Sequence, residues 1–190
     1  MQSDGAVTNV AYGGGAKGGI TSDQTVSSGR QGRCDESGAT LSGHDVSLKT
    51  QGKFTDTASF GYDGKGQATL ASQGRVHADG NHGTLGIQAN QGITLSAAQV
   101  SGHAIELDAG QRSLVSNTVN VVDSSYATQT EHGVLYSTHR ETTHGESKAV
   151  GTTIGAGTQG SLSMAGEGVR LEGAPIRALG RRSMRRAAIW

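Results

Sequence analysis

The stretch "GHAIELDAGQ" at residues 102–111 carries the pattern that decides the fold. Residues 43–52, "GHDVSLKTQG", present the same pattern earlier in the chain: a Gly-His pair, two apolar residues separated by a polar one, and a Gly beside a Gln. Alternate side chains of a strand point to the same face of a sheet, so each copy predicts a short strand between two corners. A phrase that recurs at a regular spacing is typical of repeat architectures.

Related apolar pairs give the period. They are Val46 with Leu48, Leu85 with Ile87, and Ile105 with Leu107. Their first members are separated by two periods and then by one period of about 20 residues, with a weaker copy at Ala68 and Leu70 ("ATLASQG") in the longer gap. We expect the six residues to stack as one inward apolar file, with residues 43–52 three coils away from residues 102–111.

A second phrase runs in the same register. "ITLSAAQV" (93–100) returns as "VRLEGAPI" (169–176), about four periods on, and more loosely as "RSLVSNTV" (112–119), about one period on. "ATLSG" (39–43) and "AQVSG" (98–102) supply a third element. Each coil therefore holds two or three short strands, with Gly, Asn, Asp or Ser at the corners. Such a coil buries its inward face only against neighbouring coils.

These patterns predict an all-β fold, a right-handed parallel β-helix (solenoid) with coils of about 20 residues and a polar hairpin or loop excursion. The handedness follows from the right-handed connections between parallel strands. An antiparallel sandwich would explain the alternation but not a phrase that recurs at multiples of the period. A content of 33% hydrophobic and 4% aromatic residues fits a thin core, and 31 Gly with a single Pro exclude collagen and argue against low-complexity disorder.

The period fails near residues 123–150, which are rich in Thr, Ser, His and charge. Thr and Tyr favour strands, so a polar hairpin or loop that projects from the coils is expected there. The predicted regions are an irregular Gly-rich lead-in or distorted coils (1–38), β-helix coils (39–123), the extra-helical polar excursion (124–149), β-helix coils (150–180) and a disordered basic tail (181–190).

Charge and targeting features narrow the function classes. The chain has 16 basic and 16 acidic residues, and four of the basic ones lie in "RRSMRR" (181–186). The rest is mildly acidic, which argues against a nucleic-acid-binding surface. The lone Cys34 excludes an intramolecular disulfide. No stretch has the length of a transmembrane helix, and residues 1–15 lack the regions of a signal peptide.

No catalytic, cofactor-binding or metal-binding residue is predicted. The seven His include His77, His82, His132, His139 and His144 near acidic residues, but none has the spacing of a dedicated zinc site. His44 and His103 precede inward strands in equivalent coils, so they are expected to align on one outer edge. We therefore expect the protein to use no cofactor.

Three further groups receive structural interpretations. Asp45 and Asp108 fall about three turns apart, too far to share a reaction centre. Asp35 and Glu36, in "GRCDESG", are interpreted as a solvated loop, and Cys34 lacks a base partner for nucleophilic chemistry. "GGGAKGG" (13–19) lacks the Gly-Lys-Ser/Thr ending of a phosphate loop.

Residues from about 83 to 180 resemble the haemagglutinin repeats of filamentous haemagglutinin and contact-dependent-inhibition exoproteins, which use two-partner secretion. The resemblance rests on "GITLSAAQVSGHAIELDAGQ" (92–111), the Ser/Thr-rich excursion (124–149) and the restart at Gly151-Thr152-Thr153-Ile154. It implies a β-helical shaft that is secreted to the bacterial surface through an outer-membrane transporter. Such a shaft serves adhesion, with a cell-surface receptor or carbohydrate as partner, or presents a toxin.

A carbohydrate-active β-helix enzyme, a lyase or hydrolase, is the alternative, because polysaccharide-cleaving enzymes also use this fold. Such an enzyme needs clustered carboxylates to supply an acid/base pair or to bind calcium. Two or more carboxylates that meet a Lys or Arg in one outer groove would favour the enzyme, whereas acids scattered along the shaft would favour the adhesin.

Overall fold

The computed structural model describes the backbone of residues 2–3, 7–10, 19–21, 26–30, 32–62, 68–79, 82–132, 137–178 and 181–186, and the side chains of 32–62, 69–79, 82–121 and 146–177. Every regular element in these ranges is a β-strand. The strands form three stacks of parallel strands, which we call faces A, B and C, and two antiparallel hairpins. The predicted all-β class is therefore confirmed.

The strands are assigned to the faces by their pairing. Face A contains β1 (Gln2–Ser3), β4 (Val26–Arg30), β7 (Val46–Thr50), β12 (Thr84–Ala89) and β21 (Arg181–Arg186). Face B contains β2 (Val7–Val10), β5 (Cys34–Ser37), β8 (Phe54–Thr57), β13 (Ile93–Ser96), β15 (Leu114–Asn117) and β19 (Val169–Leu171). Face C contains β3 (Gly19–Thr21), β6 (Thr40–Gly43), β11 (Arg75–Ala78) and β20 (Ile176–Ala178). The strands β14 (Gln99–Asp108) and β18 (Thr153–Gly166) run through face C and continue onto face A.

The chain visits the faces in the fixed order A, B, C, and each such set of strands is one circuit. Equivalent strands of successive circuits pair in parallel and in register: β7 aligns Val46 with Leu85 of β12, and β12 aligns Leu85 with Ile105 of β14. The same holds on face B, where Phe54 aligns with Ile93. Parallel sheets stacked in register in this way are consistent with a β-solenoid.

Alternation on each strand supplies the core. On face A the inward residues form two neighbouring files rather than the single file predicted: Val46–Leu85–Ile105–Leu162 and Leu48–Ile87–Leu107–Met164. All eight are buried. Face B adds Cys34–Phe54–Ile93–Leu114, and face C adds Leu41–Val76–Val100–Ile154. Because each file continues through successive circuits, the apolar side chains within it are covered from above and below.

The spacing between the two copies of the opening phrase corrects the prediction. The strand β7 pairs with β12, and β12 pairs with β14, so residues 43–52 lie two circuits from residues 102–111, not three. The expected intermediate copy at Ala68 and Leu70 lies in the antiparallel hairpin of β9 (Ser59–Tyr62) and β10 (Ala68–Ser72). The segment from Val46 to Leu85 is thus one circuit with an inserted hairpin.

The second phrase is partly in the predicted register. Leu95 and Leu171 occupy one file, through Ser116 between them, as the match of 93–100 with 169–176 predicts, but they lie two circuits apart and not four periods. Leu114 instead aligns with Ile93, so the looser match at 112–119, which aligned Leu114 with Leu95, is wrong. A polar residue, Ser116, takes the inward position beside Leu95 and conceals the true register.

Residues 118–151 contain the second insertion. The strands β16 (Val119–His132) and β17 (Ser137–Val150) pair antiparallel along their whole length, from Val119 with Val150 to His132 with Ser137. The excursion predicted at 124–149 falls within this hairpin. Both hairpins are inserted between a strand of face B and the next strand of face C, and β10 lies in contact with β16.

The two ends of the chain also pair with the stack. The lead-in contributes β1 to β4, which continue faces A, B and C as the distorted coils of the prediction would. Residues 181–186, predicted as a disordered tail, form β21 and pair with β18 from Ser161 to Gly166. Arg182 is the partner of Leu162, one period earlier, so the backbone pairing continues although the sequence becomes basic.

Candidate functional site

The outward surface of face A contains an open depression in the middle of the described stack. Its floor is the file Ser47–Gly86–Glu106–Ser163, which alternates with the buried files. No atom lies within 4 Å of the position that a Cβ on Gly86 would take, so this residue leaves a gap in the file. The depression has a volume of about 320 Å³ and includes Asp45 and Thr84 at its edge.

A second depression of about 290 Å³ is continuous with the first, because both include Ser47, Gly86 and Glu106. It adds the next outward file, in which Lys49, Gln88 and Asp108 align across three strands. The carboxylates of Glu106 and Asp108 and the amino group of Lys49 therefore line one outer groove of face A, with Asp45 at its edge. Sequence reasoning missed this because it compared Asp45 with Asp108 and did not consider Glu106, which precedes Asp108 at the next outward position of the same strand.

Two of the carboxylates near the groove are bound by the backbone of corners. Asp45 Oδ1 accepts hydrogen bonds from Thr84 N at 2.8 Å and from Thr84 Oγ1 at 2.7 Å. These bonds lower the pKa of Asp45, the bond from the hydroxyl being the larger cause. Asp108 Oδ1 accepts from Gly110 N at 2.8 Å. Asp45 precedes β7 and Asp108 ends β14, so the two acids lie two circuits apart and not three turns as predicted. Asp108 is level with Lys49, so Asp45 and Asp108 are also separated by four residues, about 13 Å, along the strand direction.

The histidines lie before the face A strands, on β11 of face C and in the second hairpin. His82 and His103 pack edge to face with their ring centroids 5.2 Å apart. His82, from the intervening circuit, is thus the neighbour of His103, and the exposed His44 lies one circuit further on. His77 Nδ1 lies 2.8 Å from Ser101 Oγ. The side chains of His132, His139 and His144 lie outside the described residues.

The interior of face B contains two acidic residues, one of which the sequence interpretation placed in solvent. Cys34 to Ser37 form β5, and Glu36 is only 4% exposed, so the predicted solvated loop at "GRCDESG" is wrong. Glu36 aligns with Asp56 of β8, which is 0% exposed. Burial, followed by the charge of Glu36, raises the pKa of Asp56 well above its usual value.

The sequence did contain an indication of this strand. Cys34 precedes Phe54 by one full period, and both side chains are buried in the same file. Two acids at adjacent positions concealed the alternation, because acidic side chains are rarely buried. Of "GGGAKGG" (13–19), only Gly19, the first residue of β3, belongs to the described residues.

Comparison with known proteins adds no assignment. The chain matches no protein-family model, and neither the curated proteins nor the solved structures give a significant match. Among the described residues, no three His, Cys, Asp or Glu side chains are grouped so that they could hold a metal ion. The described part of the chain also forms no helix with the length and apolar character needed to cross a membrane.

Proposed function

We propose that this chain is a right-handed parallel β-helix and forms part of the shaft of a secreted bacterial adhesin with haemagglutinin repeats. The observation that carries the proposal is the in-register stacking of successive A, B, C circuits around continuous apolar files. A stack of this kind grows along one axis and holds its shape without disulfides or metals. Extension from a cell surface requires a structure with those properties.

The outer surface fits a contact role. The described large apolar side chains are mostly inward, and the outward files of face A are polar or charged. The two hairpins leave the stack between the same two faces, so their exposed surfaces lie on one side. Four of the seven aromatic residues belong to residues 59–72 and 119–150, and Tyr62 of β9 is 76% exposed. Exposed aromatic residues beside polar ones favour contact with a receptor or a carbohydrate.

Under this proposal the parent protein is exported by an outer-membrane transporter of the two-partner type and acts at the bacterial surface in adhesion or toxin presentation. An export experiment tests it. The chain would be placed between the secretion domain of such an exoprotein and a C-terminal epitope, and expressed with and without the transporter. We expect the epitope outside the cell only when the transporter is present.

A matched control separates export from folding. A globular, rapidly folding domain placed at the same position should block secretion, whereas this chain should pass. Retention of the chain inside the cell, with secretion of a known haemagglutinin-repeat segment in parallel, would contradict the proposal. A genome in which the upstream reading frame does not continue the coils, and no transporter gene lies nearby, would also count against it.

A carbohydrate-active enzyme is the second candidate, and the groove on face A favours it. Glu106 and Asp108 occupy successive outward positions of one strand, so their Cα atoms are about 6.8 Å apart, and they share the groove with Lys49. Inverting glycosidases hold their two carboxyl groups about 6.5 to 9.5 Å apart, a distance that side chains at two such positions can span. Asp108 also accepts a hydrogen bond from the backbone N–H of Gly110, so this acid stabilises the corner that follows β14.

Assays on polysaccharides would decide between the two candidates. Catalysis predicts product release from at least one neutral or acidic polysaccharide, and its loss in both Glu106→Gln and Asp108→Asn. The control is Glu172→Gln, because Glu172 is paired with Arg170 beyond β19 and lies outside the groove. The adhesin proposal predicts no turnover with the unaltered chain, and saturable binding at most.

A further inference from the structure

The two buried acids of face B are direct neighbours. Glu36 on β5 and Asp56 on β8 are Cα partners in a parallel ladder, and neighbouring strands of a sheet lie about 4.8 Å apart. Their side chains point into the stack at equivalent positions of successive circuits, with 4% and 0% exposure. Neither residue can reach water by a change of rotamer alone, because both belong to inward positions of paired strands.

The described residues around Asp56 provide no compensating charge for its carboxyl group. The next residue of the same file is Leu95 on β13, and Asn9 on β2 aligns with Glu36 on the other side. Elsewhere in the interior, the inward side chains described on β6, β7, β11 and β12 carry no charge. On β5 itself, the thiol of Cys34 is a further titratable group that faces inward.

Asp56 is also enclosed at its carboxyl end. A Cβ on Gly74 would coincide with Asp56 Oδ1, so the carboxyl group fills the space that the missing side chain leaves. Neither Asp56 oxygen has a hydrogen-bond partner among the described residues. An ionised carboxylate in such a position loses its hydration and gains nothing in exchange, and a second carboxylate beside it adds repulsion.

We propose that Glu36 and Asp56 form a carboxyl pair that holds one proton in the folded protein at neutral pH, so that protonation of the core stabilises the stack. The arrangement resembles other pairs of adjacent carboxylates, which cannot both ionise and therefore share a proton. The unfolded chain exposes both groups and releases the proton. Folding is then coupled to the uptake of one proton over the pH range between the two states.

The direction of the pH effect follows from that coupling. The pKa of Asp56 is raised in the folded protein above its ordinary value of 3.8. Its stabilising contribution is therefore complete below the ordinary value and is lost as the pH rises through the folded value. Within this window one extra proton in the folded state changes the folded-to-unfolded ratio about tenfold per pH unit. The protein should accordingly be more stable at pH 5 than at pH 7.5.

Urea unfolding of the full chain at pH values from about 4.5 to 8, followed by circular dichroism, tests this. The unaltered chain should lose about tenfold in its folding equilibrium per pH unit in the lower part of that range. Asp56→Asn should abolish the dependence and raise the midpoint at pH 7.5, because an amide is neutral in both states. Glu36→Gln should shift the pH range in which stability changes steeply to lower pH, because the charge that helps to raise the pKa of Asp56 is removed.

The control is Glu106→Gln, which removes an exposed carboxylate from face A and should leave the slope unchanged. Infrared spectroscopy of the unaltered chain provides a readout that does not depend on any variant folding: a protonated carboxyl band should be present at pH 7 in the folded protein and vanish in urea. Absence of that band, a flat pH profile, or a full slope in Asp56→Asn would each overturn the proposal. Stabilisation by calcium that Asp56→Asn abolishes would overturn it in favour of a bound cation.

Discussion

The stacking of the face A files predicts which pairs of core mutations interact. Leu107 lies directly beside Ile87 on the neighbouring strand and two strands from Leu48. The distances across the sheet are therefore about 4.8 Å and about 9.6 Å. We would make Leu107→Ala, Ile87→Ala and Leu48→Ala singly and in the two pairs that include Leu107.

The magnitudes follow from burial. Leu107 and Ile87 are 0% and 1% exposed, and truncation of such a residue to Ala costs about 2 to 5 kcal/mol, including the cavity term. Neighbouring residues share that cavity, so Leu107→Ala and Ile87→Ala should deviate from additivity by about 0.5 to 3 kcal/mol. Leu107→Ala and Leu48→Ala do not share a direct contact across the sheet, although Ile87 lies beside both, so their deviation from additivity should be smaller. Glu106→Ala, on the outward side of the same strand, should change stability by less than about 0.5 kcal/mol.

Urea unfolding at a single pH, followed by circular dichroism and fitted by linear extrapolation, measures all of these. Equal coupling of Leu107 to Ile87 and to Leu48 would refute the order β7, β12, β14 on face A. Coupling stronger with Leu48 than with Ile87 would mean that residues 43–52 and 102–111 are direct neighbours. A loss of under about 1 kcal/mol in Leu107→Ala would refute its place in the core.

Two further predictions use glycine positions and a corner carboxylate. Gly74→Ala should destabilise the protein by about 1 to 3 kcal/mol through overpacking against Asp56, whereas Gly86→Ala, which meets no atom within 4 Å, should be neutral or stabilise by up to about 1 kcal/mol in urea unfolding. Asp45, whose pKa is lowered from 3.8 by its bonds to Thr84, contributes stability that is present above this ordinary value and is lost as the pH falls through the folded value. Asp45→Asn should therefore remove part of the loss of stability that occurs as the pH falls below this ordinary value, and an unchanged acid limb in the urea-unfolding profile would contradict that role.

The sequence predicted the repeating part of the fold because strand alternation and a regular spacing are local properties. Val46, Leu85 and Ile105 could be aligned by their apolar-polar-apolar context alone, and their parallel pairing is confirmed. The number of circuits could not be counted in the same way. The circuit that contains the hairpin at residues 59–72 is longer than the next by about one period, so the insertion has the same effect on spacing as a further coil.

The polar interior was also beyond sequence reasoning. Glu36 and Asp56 occupy inward positions that the alternation of Cys34 and Phe54 defines, but hydrophobicity alone assigns acids to the surface. The groove on face A depends on residues from three separate circuits, such as Glu106, Gly86 and Ser47. Their proximity follows from the register, which a single sequence with an unrecognised insertion does not reveal.

The second hairpin has a consequence for how the chain accommodates additional sequence. Val119 and Val150 are Cα partners, so the segment between them begins and ends within one strand spacing. The two strands of the hairpin pair with each other, so the hairpin does not depend on the stack for its own closure. The entropic cost of closing the connection between face B and face C grows only with the logarithm of its length. This corner is therefore a site where segments of different length and sequence can be exchanged while the stack beneath keeps its register.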